Sequence, residues 1–293
     1  MSQERRSKTL KSPKPQEASK RAERYYNARL QYLTKEMERA VNENIIPLLR
    51  DLQPEYTADA WYDQIFAEIE RLKEKFDKTR IGLAMRNTAE EFIRIADTQN
   101  RKQFLQNMAA SLGVDLTQAM EVSGIADDIR MRVQENVRLI QELPSEFFNR
   151  IQTTIVENAS NGVRASEIAK ELRKDYGIAE RKAKLIARDQ TLKFHSEVSK
   201  ARQTASGVEY FRWIDSNDSR VSGRPNGLYP NAKVKCWQIA NNGNGGVYSW
   251  KSGARWSGET KLFPGKAHIN CRCIAEPVIK GVNDQGVDWS KVE

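Results

Sequence analysis

Histidine and cysteine are nearly missing from this chain, which has two of the first and three of the second in 293 residues. So few cysteines exclude a disulfide framework. The two closest in sequence, Cys271 and Cys273, are one residue apart, where a bridge would be badly strained. The chain therefore reads as a protein of a reducing cytoplasm. Two histidines leave little material for a histidine-dependent mechanism. Long apolar runs are absent too. Nothing approaches the ~18 apolar residues of a membrane-spanning helix, so no membrane partner is expected. The basic opening "MSQERRSKTLKSPKPQEASK" lacks the apolar stretch of a secretory signal. There is no Walker phosphate loop, no Gly-x-Ser-x-Gly and no His-Glu-x-x-His. The glycine-rich "NNGNGG" has no strand–helix context that would make it a phosphate cradle. No enzyme is expected on these grounds.

Positive charge is what the chain has in excess. Lys and Arg number 48 against 39 Asp and Glu, a formal net charge of +9. The chain is 30% charged and 39% hydrophobic, with mean hydropathy −0.71, polar but with enough apolar residues for a core. A basic balance favours polyanionic partners, or it only keeps a helical protein soluble. Residues 1–20 are rich in Lys, Arg, Ser and Pro and are expected to be disordered. Arg5, Arg6, Lys8, Lys11 and Lys14 make this a tail that can lie on double-stranded DNA through phosphates, or a merely solvated terminus.

From 21 to about 205 the periodicity is helical. "ASKRAERYYNARLQYLTKEMERAVNENIIPLL" sets Tyr25, Leu33, Met37, Val41 and Ile45 on one stripe, and Pro47 should end or kink that helix. "TADAWYDQIFAEIERLKEKF" offers Thr57 or Asp59 as cap and Trp61, Ile65, Ile69 and Leu72 as stripe. "AEEFIRIAD", "NRKQFLQNMAASLG", "IADDIRMRVQENVRLIQEL" and "SEFFNRIQTTIVENAS" read as further helices, the last starting after Pro144 with Ser145 as N-cap. Residues 161–206 read as a helical hairpin. Gly177 would end its short first helix, and a second would run from about Ala179 to Ser206 with Leu185, Arg188, Leu192 and His195 on one stripe. His195 is expected at a packing boundary.

After Gly207 the composition changes. "VEYFRWI" is a strand candidate, turn residues multiply, and Trp213, Trp237, Trp250 and Trp256 crowd into 44 positions. "CRCIAEPVI" is the expected closing strand. The fold class is α+β: an elongated helical N-terminal region, 21–160, then a domain at 161–279 whose part 207–279 is small, loop-rich and β-containing, then a tail at 280–293.

Two clusters in that last part can carry chemistry. In "WIDSNDSRV", Asp215, Asp218 and Arg220 crowd a turn after a strand. They can hold a hard divalent ion or do acid–base work, or simply make Asx-turns. In "HINCRC", Cys271 and Cys273 join His268, with Cys236 a loop away. Three cysteines and a histidine are the ligand set of a closed, structural zinc site. The same residues also read as small buried hydrophobes beside a turn-capping histidine.

"IARDQTLKFHSEVSKARQTASGVEYFRWIDSNDSRV", a Gly-rich stretch and "FPGKAHINCRCIAEPVI" follow one another in this order. The chain here resembles the Mu F-like head morphogenesis family, found in minor head proteins of tailed bacteriophages. The likeness rests on Arg188, Asp189 and Gln190, on Gly207, Val208 and Trp213, on Asp218, Arg220 and Val221, and on Pro264, Gly265, Cys271, Arg272 and Cys273. It spans roughly 150 to 280. One departure is clear: Pro225 stands where the family usually has a histidine, so a centre built on that histidine is altered here, with Cys236 or His268 as replacements. The resemblance implies a virion protein present in few copies at the portal vertex or head interior. Its expected partners are the portal protein, a major capsid or scaffolding protein, and packaged or exiting DNA without sequence reading. The competing class is a metal-dependent phage nuclease or hydrolase using Asp215, Asp218, Arg220 and His268.

Overall fold

The computed structural model describes residues 10–52, 60–78, 80–122 and 125–292. Arg5, Arg6, Lys8, Thr57 and Asp59 lie outside the described residues, as does the side chain of Trp61. The chain forms two compact units that do not follow chain order. One comprises residues 20–94 and 130–190, the other residues up to 19, 95–129 and 191–293. The boundary expected at 160/161 is therefore not where the units divide.

The first unit is helical. α1 (Lys20–Ala40) buries Ala22, Tyr26, Leu30, Leu33, Met37 and Ala40, recurring every three or four residues. The buried tyrosine is thus Tyr26, not Tyr25; its ring stacks on Phe92 at 4.4 Å. Pro47 does not stop the chain. Residues Val41–Ile45 widen into a π-helical turn, and Pro47 falls in the first turn of α2 (Ile46–Asp51), where a missing N–H costs nothing. α3 (Ala60–Lys78) buries Ile65, Ile69, Leu72 and Phe76. α4 (Arg80–Leu112) is one helix where the sequence suggested two, and α5 (Thr117–Val122) follows it in the second unit.

α6 (Ile125–Ser160) and α7 (Ala165–Ala205) correct two expected breaks. α6 runs straight through Pro144, so Ser145 is not an N-cap. An interior proline costs about 3 kcal/mol. Ile140, Leu143, Phe147, Phe148, Ile151 and Ile155, all buried, outweigh it. α7 runs through Gly177, which costs only about 1 kcal/mol in a helix. Leu172, Tyr176, Ala179 and Ala183 around it are buried. Leu185, expected on the packing stripe, is 40% exposed.

The second unit holds the sheet. β1 (Tyr210–Ile214) is its centre, flanked antiparallel by β2 (Val247–Ser249) and β5 (Ile274–Val278), in the order β2-β1-β5. Phe211 pairs with Tyr248 and with Pro277, and Trp213 with Ala275. Strand alternation sends Phe211 and Trp213 into the core, where both are buried. Pro277 is tolerated because β5 is an edge strand. A short helix α8 (Cys236–Ala240) and a two-stranded ribbon of β3 (Ala254–Trp256) and β4 (Glu259–Leu262) complete this part. The core gathers Phe211, Trp213, Val221, Ile239, Trp250 and Leu262 with all three cysteines.

Residues 10–19, expected to be disordered, form a non-helical strap over the C-terminal half of α4. The Lys11 N–H donates to the Ser111 carbonyl at 3.2 Å. The Asn107 amide donates to the Lys14 carbonyl at 3.0 Å, and the Glu17 N–H donates to Gln103 Oε1 at 2.8 Å. Side-chain amides thus satisfy the backbone groups of a segment too polar to make its own core. The 280–293 tail is also placed: Trp289 meets Tyr210 edge-on at 4.7 Å, and Lys280 lies over both rings.

Candidate functional site

The thiols and the second histidine converge at the lead-in to β5. Cys236 opens α8, where its N–H donates to Ser222 Oγ at 3.1 Å. Its Sγ lies 3.3 Å from His268 Nε2 and 3.8 Å from Cys271 Sγ. The donor atoms of Cys236, His268 and Cys271 all lie within 4.8 Å of one another. Cys273 is buried beside them but lies outside that three-donor group. Cys271 and Cys273 precede β5 rather than lying on it, yet both are buried. His268 Nδ1 donates to the Ile269 carbonyl at 2.9 Å. That fixes the tautomer, leaving the Nε2 lone pair for Ser222 Oγ at 3.2 Å and the sulfurs.

One thiol of the three is set apart electrostatically. The Cys236 S–H group donates to Cys271 and holds its pKa well below the ordinary thiol value. Donating to Cys271 in turn pushes Cys236 up. Two glycines let the backbone close around this cluster. Gly223 has φ +75°, and a Cβ there would meet Gln238 Oε1 at 2.2 Å. Gly265 has φ +81° and sits against the α7 backbone, 3.0 Å from the Leu192 carbonyl oxygen to where its Cβ would be.

The acidic cluster is occupied differently. Asp215 Oδ1 accepts the Asn217 N–H at 2.6 Å, and Asp218 Oδ1 accepts the Arg220 N–H at 2.8 Å, two Asx-turns. Arg272, between the two cysteines, turns away from them and grips Asp218 through both guanidinium nitrogens, NH2 to Oδ1 at 2.5 Å. That grip, with the Arg220 N–H, holds the Asp218 carboxyl far below the usual carboxylate range. Asp218 is thus a paired anchor, and the Arg220 side chain is exposed. Among the described residues, Cys236, His268 and Cys271 form a three-donor group, and neither Asp215 nor Asp218 joins one. The nuclease constellation of Asp215, Asp218, Arg220 and His268 is therefore not assembled around a common metal position.

The other histidine is more deeply placed than expected. His195 is buried, its Nδ1 3.2 Å from Asn100 Nδ2, and it hydrogen-bonds the Gln16 backbone of the strap. Burial pushes its pKa down to about 4. Asn100 also donates to Ser199 Oγ at 2.9 Å and accepts from Arg202 at 2.6 Å, while Arg202 reaches Asp97 at 2.5 Å. Gln203 accepts from Trp250 Nε1 at 3.0 Å and donates to Gln16 Oε1 at 3.4 Å. Asn100 was missed from sequence, although it continues the Ile93, Ala96, Phe104 stripe of α4; a polar residue on an apolar stripe was the signal. Ser222 carried no such signal. Arg188 is half-buried on the part of α7 that belongs to the helical unit.

A long helix leads into a small antiparallel sheet, which is closed by a thiol–imidazole cluster and an Arg–Asp clasp. Residues 149–276 match the family model described as phage Mu protein F like protein. An uncharacterized protein of Haemophilus influenzae is 27% identical over 213 residues, which cover 71% of this chain and 46% of the relative. The chain therefore spans about half the length of that relative. No solved structure matches it. No helix among the described residues is long and apolar enough to cross a membrane.

Proposed function

We propose that the chain is a minor head protein of a tailed bacteriophage, bound at the portal vertex and acting in head assembly and in handling of packaged or ejected DNA. The observation that carries this reading is the Mu F-like match over 149–276, a family of phage head morphogenesis. The helical unit supports the docking role. It exposes Tyr32, Leu83 and Met131 to solvent, and a groove of about 290 Å³ lies between Leu30, Leu33, Ala84, Met85 and Ile140. Exposed apolar side chains beside a groove suit contact with another protein, here the portal. Lys11 and Lys14 are exposed on the strap and suit phosphate contact without base reading. A capsid or scaffolding protein is the second expected contact.

The test is co-expression of the full chain with portal, capsid and scaffolding proteins, followed by sedimentation of procapsids. The chain is expected in the procapsid fraction at a few copies per particle, and to be lost from particles lacking portal. Its absence from purified procapsids and virions overturns the reading. DNA handling is checked separately. Affinity for duplex DNA should fall steeply with salt, and Lys11→Ala with Lys14→Ala should reduce that slope by about 1 to 2.

A further inference from the structure

We propose that Cys236, His268, Cys271 and Cys273 bind one zinc ion in a closed, tetrahedral, structural site that staples α8 to the lead-in of β5. The spacing of the donors is the first argument. A tetrahedral zinc with metal–sulfur bonds of ~2.3 Å and a metal–nitrogen bond of ~2.0 Å sets sulfur–sulfur separations near about 3.8 Å and sulfur–nitrogen near about 3.6 Å. The protein holds Cys236 and Cys271 at 3.8 Å, and His268 Nε2 at 3.3 Å from Cys236. Cys236, His268 and Cys271 stand at ligand spacing, all within 4.8 Å of one another, and Cys273 has to move towards them to complete the set.

Orientation is the second argument. A metal-bound histidine usually donates its other ring N–H to a carbonyl or carboxylate, which aims the ligating nitrogen. His268 does this through Nδ1 to the Ile269 carbonyl, and Nε2 faces the sulfurs. Cys273, buried in the same core cluster as Cys236 and Cys271, is the remaining donor.

Charge is the third. Three thiolates and one Zn²⁺ leave a net charge of −1. Arg272 lies in sequence between two of the ligands and feels both Cys271 and Cys273, so its guanidinium supplies the compensating charge while its hydrogen bonds go to Asp218. Binding exchanges one Zn²⁺ for the three thiol protons, with no change of oxidation state. The same thiols do not serve as a nucleophile paired with His268, because Cys236 and Cys271 are each only 1% exposed. With four protein donors no position remains open for water or substrate, so the site is structural. It ties residues 35 apart in sequence across a region with few regular hydrogen bonds.

The experiment uses the full-length chain, purified reduced and without a histidine tag. Elemental analysis is expected to find about one zinc per chain. Exchange with Co²⁺ should give the intense visible bands of a tetrahedral centre and thiolate-to-cobalt charge transfer. A folded, reduced chain that carries no zinc and develops no cobalt spectrum overturns the proposal. So does a Cys236→Ser or Cys271→Ser variant that keeps the full zinc content. His268→Cys provides an arm that does not depend on the folding of those serine variants. It should stay folded, retain zinc and show a four-thiolate cobalt spectrum. A wild-type spectrum in His268→Cys overturns the histidine's assignment, and one in Cys273→Ser overturns that of Cys273. None of these readouts depends on head assembly.

Discussion

The helical unit and the sheet-bearing unit are held together by different physics. The first is a set of apolar stripes: Tyr26 on Phe92, Phe76 on Phe148 at 5.4 Å, and isoleucines and leucines every third or fourth residue. The second buries an aromatic cluster of Phe211, Trp213 and Trp250, and also places thiols, a neutral histidine and a chain of amides in its interior. Apolar stripes tolerate a misplaced proline or glycine, as Pro144 and Gly177 show. A core built on polar geometry tolerates little, because each buried donor or acceptor left unmatched costs about 1–3 kcal/mol.

The sharpest way to break this contrast is the double change Cys271→Ser and Cys273→Ser. It puts two hydroxyls where thiols pack against one another, a loss of about 3–6 kcal/mol before any metal is counted. Near-UV circular dichroism from the buried tryptophans should collapse while the helical far-UV signal stays. Loss of both together would show that the units are not separable.

Next come matched truncations. Phe92→Ala in the helical unit and Trp213→Ala in the sheet should each cost about 3–5 kcal/mol. They should shift different transitions in a thermal melt followed at both wavelengths. A shift of one shared transition by both variants would erase the distinction.

A third experiment uses acid. The folded pKa of His195 is pushed down to about 4. The unfolded chain therefore binds the extra proton first, from about pH 6.5 downward, and stability falls across the window between about 6.5 and 4. The loss is of order 3 kcal/mol by pH 4, and His195→Gln should flatten the profile in that range. The smallest effect is expected from Asp218→Asn. Its carboxyl is depressed, so its contribution is present above the unfolded value near about 3.9 and lost as pH falls towards the folded one. With the side chain 35% exposed, screening limits the cost to about 1 kcal/mol, read as a small drop in the midpoint of urea unfolding at pH 7.

What the sequence reveals follows the same division. "VEYFRWI" becomes β1 because its alternation is local, and the helices stand where apolar spacing put them. The grouping of Cys236, His268 and Cys271 was legible because rare residue types at close spacing leave few arrangements. The continuity of α6 and α7 was not legible, because it depends on partners that outweigh a local breaker. Nor were the strap and the Asn100–His195–Arg202 network, in which Asn100 meets partners 95 and 102 positions away and all are ordinary surface residue types until tertiary structure buries them.

The strap sets a timetable for synthesis. Ser12 waits for Asn283, 271 positions later, and Gln16 for Gln203, 187 positions later. At ribosomal speeds of roughly 5–20 residues per second, the strap stays without its last partner for about 15–50 s. During that interval the α4 amides that later hold it are free to engage other polar chain, including the strap of a second nascent copy. A chaperone that shields residues 10–19, or a fusion placed ahead of them, therefore acts on the sheet-bearing unit that supplies these late partners.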